Sequence, residues 1–146
     1  LLVCVDYLNL VDSGRSVDEF RRALQFEGIL FLGTVVLHNE DVEGVYDDYT
    51  HLLFPLHNDY YLENDLKTFM ELKDFRFVKA EVLSFPRRLE DDVEFFEKYS
   101  GEKISEQVRA FLADSGEVLR RLYGLVGDAE LREPYFVGYF ARNKPE

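Results

Sequence analysis

The chain has 146 residues and a mass of 17.2 kDa, enough for one domain with a real core. Hydrophobic residues make up 47% and aromatics 15%, which excludes intrinsic disorder. A net charge of -12 excludes the basic footprint by which proteins grip nucleic acid or an anionic membrane surface.

The chain opens on Leu1-Leu2-Val3-Cys4-Val5-Asp6-Tyr7, an apolar run that predicts a strand buried on both faces. Asp12-Ser13-Gly14 breaks it. Ser16-Val17-Asp18-Glu19 has the spacing of a capping box and predicts a helix start. The helix that follows places Val17, Phe20, Ala23 and Leu24 on one face, and Gly28 ends that turn. Ile29 to Val36 is a second buried apolar run. Strand, capped helix and strand predict a right-handed parallel βαβ unit.

Residues 38–61 read as an irregular, acidic segment. Residues 40–74 carry -8 of the net charge of -12. A second helix is predicted over Leu62 to Leu72, with Leu62, Leu66, Phe69 and Met70 inward. A third strand runs from Phe75 to Leu83, with Pro86 closing it. Residues 89–127 read as helical, interrupted at Asp114-Ser115-Gly116, and Tyr135 to Arg142 as a last strand. Alternating strands and helices predict an α/β sheet. No apolar run approaches the roughly 18 residues of a membrane span. The single Cys4 excludes an internal disulfide framework and points to a reducing, cytoplasmic setting.

Four stretches, in this order, resemble the C-terminal half of a class I S-adenosylmethionine-dependent methyltransferase. Val3 to Leu10 is similar to the family's fourth strand and its exit. Phe20 to Thr34, FRRALQFEGILFLGT, resembles the following helix and fifth strand. Tyr61 to Val82 resembles the next helix and sixth strand, and Pro134 to Pro145 the last, antiparallel strand. The chain departs from the pattern where the family commonly has glycine: Glu27 stands in a Gly-Gly pair, and Asp74 precedes Phe75. The nine glycines never form G-x-G, so the cofactor loop and the acid that holds the ribose have no counterpart.

The resemblance implies a partial Rossmann-like sheet of strands four to seven. It would be parallel except for the last strand, with residues 86–133 as a helical insertion, a possible substrate cover. The open apolar start leads us to expect an absent N-terminal half of roughly a hundred residues. The resemblance also implies S-adenosylmethionine as cofactor, with Val5, Asp6 and Tyr7 at its methionine end. Ligands of open α/β sheets bind beyond the carboxyl ends of strands. Asn9, Thr34, His38, Tyr46 and Tyr49 are therefore candidate substrate contacts. The implied activity is methyl transfer to a small-molecule acceptor, and a fragment without the loop is expected to be inactive alone. An acidic α/β interaction module without catalysis is the alternative.

His38, His51 and His57 lie among acids but show no helix-paired spacing, so they read as solvated loop histidines and no metal is expected. Tyr46, Tyr49, Tyr60 and Tyr61 could line an aromatic pocket or pack over the core. Cys4 reads as inert packing inside its strand.

Overall fold

The computed structural model describes residues 1–144. Its elements, in chain order, are β1 (Leu2–Val5), α1 (Ser13–Ala23), β2 (Ile29–Val35), α2 (Val45–Leu53), α3 (Glu63–Leu72), β3 (Phe75–Arg88), α4 (Leu89–Ser100), α5 (Ser105–Tyr123) and β4 (Glu130–Arg142). The sheet order is β1-β2-β4-β3. β1 and β2 are parallel, and β4 is antiparallel to both its neighbours. Three strands thus share one direction and the last runs against them.

Register explains how the sheet divides its side chains. Cys4, Leu32, Gly138 and Ala80 form one row across the four strands. That face is sealed by α1 and α3 through Val17, Leu24, Leu66 and Met70, and the cluster is apolar throughout. Each such Leu or Phe contributes about 1.5–3 kcal/mol by leaving water. Gly138 has no side chain because the Phe136 ring occupies the space a Cβ would need. The next row, Val3, Phe31, Tyr139 and Lys79, lies on the opposite face. There Phe31 and Tyr139 meet edge to face at 5.1 Å, with the Lys79 ammonium 5.0 Å from the Tyr139 ring centre.

A second core lies beyond the carboxyl end of β2, where α2, α4 and α5 pack on Leu37, Leu89 and Leu131. It is rich in buried polar partners. Arg87 binds Glu133 at 2.5 Å and Asp92 at 2.7 Å. Asp41 accepts from the Val45 and Tyr46 amides and from the Tyr123 hydroxyl at 2.6 Å, which caps α2 and ties it to α5.

Several expectations are corrected. β1 is not buried on both faces: Val3 and Val5 are 60% and 49% exposed. α1 starts at Ser13, with Asp12 accepting from the Arg15 amide, so Asp12 rather than Ser16 is the cap. Ala23 is exposed. Residues 45–53 of the supposedly irregular segment are α2. β3 runs through Pro86 to Arg88, which an edge strand tolerates because half its amides need no partner. β4 begins at Glu130 to pair with that extension. α5 passes straight through Asp114-Ser115-Gly116, and the helical break falls at Gly101, whose φ is 75°.

The family's glycine positions are informative. Glu27 and Asp74 both adopt left-handed backbone, with φ of 60° and 64°. The glycine-type conformation is kept without the glycine.

Candidate functional site

The two parallel strands end side by side, and the chain turns sharply there. Asp6 is left-handed (φ 52°), and its amide donates to the Gly33 carbonyl at 3.0 Å, which fixes the exit of β1 against β2. The Thr34 hydroxyl then donates to Asn9 Oδ1 at 3.3 Å, and the Asn58 amide donates to the Asn9 carbonyl at 2.7 Å. These bonds hold the turn after β1 against β2 and against the segment after α2.

Above this junction opens a cleft of about 620 Å³. Its floor carries Asp6, Asn9 and Val35. One wall is the exit of α2, from Leu53 to His57, and the other is Phe95, Phe96 and Tyr99 of α4. The size is within the range of small-molecule sites, as is a mostly apolar lining with a few fixed polar groups. Phe54 and Phe95 approach to 6.2 Å, and Phe95 and Tyr99 to 4.6 Å, so the two walls share an aromatic rim. The Tyr60 phenol faces the same space, and burial followed by the Glu133 charge pushes it up to about 12. It therefore stays a neutral hydroxyl at ordinary pH.

Behind Asp6 lies Tyr135, packed over Gly33, where a Cβ would come within 2.9 Å of the Tyr135 hydroxyl. That hydroxyl is buried and has no hydrogen-bond partner of normal geometry among the described residues. Burial, then the Asp6 carboxylate, pushes its pKa upward.

The structure brings only part of the expected set together. Asp6 and Asn9 line the cleft. Val5 points to the open sheet face, and Tyr7 is 46% exposed at the same exit. Thr34 is buried and reaches the site only through Asn9. His38 is exposed and accepts the Glu40 amide in a local turn. Tyr46 and Tyr49 lie wholly inside the second core, where their hydroxyls donate to Glu133 and Asp92. They do not line the cleft. His51 and His57 are not solvated loop residues: His51 is on α2, and His57 is 8% exposed.

The aromatic wall of α4 is marked only in part in the sequence: Phe95 and Phe96 fall with Val93 in one apolar helical set, and Tyr99 does not. Its signal was Phe95-Phe96 with Tyr99 one turn on, more apolar surface than a helix packed on one side needs. The Leu53–His57 wall gave a signal too, an apolar LFPLH run in an acidic stretch.

No family model matches the sequence, and no curated protein matches it. Solved structures do match. YcgJ of Bacillus subtilis superposes with a TM-score of 0.83 at 11% identity, over 98% of this chain and 63% of its own. BH2331 of Bacillus halodurans C-125, a candidate methyltransferase, gives 0.81 at 12% identity, over 97% of this chain and 68% of its own. The [4+2]-cyclase SpnF gives 0.52 at 14% identity, over 99% of this chain and half of its own. This chain thus spans about two thirds or less of these proteins. At such identities the likeness speaks for fold, and a cyclase among the matches shows that one fold serves different chemistry. The chain shares the α/β fold of YcgJ and of the candidate methyltransferase BH2331 over about two thirds of their length.

Proposed function

We propose that the chain supplies strands four to seven of an S-adenosylmethionine-dependent methyltransferase, and that its cleft takes a small, largely apolar acceptor. The observation that carries this reading is the place of the cleft: it opens at the carboxyl ends of the two parallel strands in a methyltransferase fold. The residues present suit one end of the cofactor. The Asp6 carboxylate, at the exit of β1, can pair with the ammonium of the methionine moiety, and Val5 and Tyr7 flank it. No G-x-G loop is available for the remainder. The complementary half of the sheet would supply it and would cover the open face at Val3 and Val5. The single buried Cys4, whose thiol burial pushes up to about 11, suits a reducing cytoplasm.

The cofactor supplies an electrophilic methyl group. The protein's part is then to hold the acceptor in line, to exclude water, and to take up a proton where the acceptor needs it. Phe95, Phe96 and Tyr99 offer aromatic surface that would shield a bound acceptor from water. Asn9, fixed by Thr34, offers a positioned amide.

The test is transfer of labelled methyl from S-adenosylmethionine to a panel of small apolar hydroxyl and amine acceptors by the full-length gene product. The reading expects labelled product, with transfer reduced by Asp6→Asn through a higher KM for the cofactor. It also expects Phe96→Asp to act through the KM for the acceptor. Absence of transfer across the panel, with no cofactor bound, would overturn it.

A further inference from the structure

We propose that Asp47, His51 and His57 form a binding site for a divalent transition-metal ion of the zinc class. Asp47 and His51 stand one turn apart on α2, and His57 returns from the segment that follows. One ligand atom from each can be chosen so that all three lie within 4.8 Å of one another. Ligand atoms about 2.0–2.2 Å from one tetrahedral ion stand roughly 3.3–3.6 Å apart, so binding would draw the three side chains slightly together.

The orientation of the two rings carries the argument. His57 Nδ1 sits 2.7 Å from the Phe54 carbonyl, and its Nε2 sits 3.3 Å from Asp47 Oδ1. His51 Nε2 sits 3.1 Å from the His57 carbonyl, and its Nδ1 lies 3.1 Å from the Asp47 carbonyl and 3.2 Å from Asp47 Oδ2. Among the described residues, every ring nitrogen of the pair therefore faces oxygen acceptors. A neutral imidazole has one N–H and one lone pair. If His57 donates through Nδ1 to the Phe54 carbonyl and His51 through Nε2 to the His57 carbonyl, both lone pairs face oxygens of Asp47, which is repulsive unless a cation lies between them. Metal-binding histidines are held in this way, one nitrogen donating to a backbone carbonyl and the other free for the ion. The carboxylate is also held, because the Tyr60 amide donates to Asp47 Oδ1 at 2.9 Å.

Two protons could replace the ion, but both rings would then be imidazolium. Their centroids are 3.9 Å apart, and Asp47 is the one buried carboxylate between them. The exposed Asp59, 3.7 Å from His51 Nε2, is poorly placed to offset that repulsion. A single divalent ion meets the same acceptors without stacking like charges. A cleft of about 430 Å³, bordered by Asp41, Asp48, Asp59 and Asp65, leads to the cluster and would draw cations in. On its other side His57 lines the apolar cleft, so the ion would pin the wall formed by residues 54–60. The inference stands whether or not the protein transfers methyl groups.

The test uses untagged, metal-stripped protein titrated with Zn²⁺ by calorimetry in buffers of different ionisation heat. Expected are one saturable site, proton release on binding, a raised melting temperature with Zn²⁺, and visible d–d absorption with Co²⁺. His51→Ala, a partly exposed change, should leave the fold intact by circular dichroism and weaken Zn²⁺ binding more than about tenfold. His57→Gln should weaken it at least as much, and if that variant does not fold, His51→Ala alone carries the test. Three results would overturn the proposal: no Zn²⁺-dependent rise in melting temperature, binding unchanged in His51→Ala, or ring-nitrogen NMR showing both histidines doubly protonated with Zn²⁺ present.

Discussion

The two cores of this molecule are built on different physics. The one under α1 and α3 joins Val17, Leu30, Leu32, Phe136 and Phe140 by burial alone. The one under α2, α4 and α5 has comparable apolar content but threads charges through it. Arg87 bridges Glu133 and Asp92, Tyr46 donates to Glu133, and Tyr123 donates to Asp41. The first core is tolerant, because apolar contacts ask only for fit. The second is conditional, because each ion needs its partner. The conditional core forms the walls of the cleft, so shape there depends on polar geometry.

Removing the hub of the conditional core is the sharpest way to break the contrast. Arg87→Leu leaves Glu133 and Asp92 without their cation and should cost about 3–5 kcal/mol in urea unfolding near neutral pH. Burial already lifts the Asp92 carboxyl above its usual range, against the pull of Arg87. In the variant the Asp92 carboxyl loses that pull and rises further, and a raised acid is stable when protonated. The deficit should therefore shrink as pH falls. Phe136→Ala in the other core should cost a similar ~3–5 kcal/mol from lost burial and the cavity left behind. That deficit should be flat with pH, and a matching pH dependence in the two variants would erase the distinction.

A smaller effect is expected at the link between α4 and α5. Glu97 accepts from the Ile104 and Ser105 amides and the Ser105 hydroxyl, and pairs with Lys103. Those bonds lower its pKa from 4.5 to about 2, the Lys103 and Ser105 side chains contributing most. A lowered acid stabilises above its unfolded pKa and loses that contribution as pH falls through the folded one. Glu97→Ala should thus destabilise above about pH 4.5 and converge with the parent towards pH 2. The smallest change is a gain. Glu27→Gly relieves a left-handed residue at the cost of an exposed pair with Lys144, and should add about 1 kcal/mol.

The extension of β3 through Pro86 and the start of β4 at Glu130 were missed, but β1 and β2 were legible because each is an apolar run and a helix-period segment separates them. α2 was not, and the reason is physical. Val45-Tyr46-Asp47-Asp48-Tyr49-Thr50 is poor in helix formers, and the helix forms because Asp41 caps it and burial holds it. The same blind spot hid the meeting of His51 and His57, since their spacing says nothing until the helix turns back. That Asp6 and Asn9 line the cleft was legible from their place at a strand exit. Phe95 and Tyr99 were not, because a helical stripe does not say what it faces. Tyr46 and Tyr49 show the converse, aromatic residues in an acidic stretch that serve the core.

The proposed function sets Asp6 at one end of a cofactor site, and no G-x-G loop occurs among residues 1–146. Calorimetric titration of S-adenosylmethionine into residues 1–146 and into the full-length gene product tests it directly. Saturable binding by the full-length protein, weakened by Asp6→Asn, is expected, with little or none by residues 1–146. Low-micromolar binding by residues 1–146 alone, or none by the full-length protein, would contradict it.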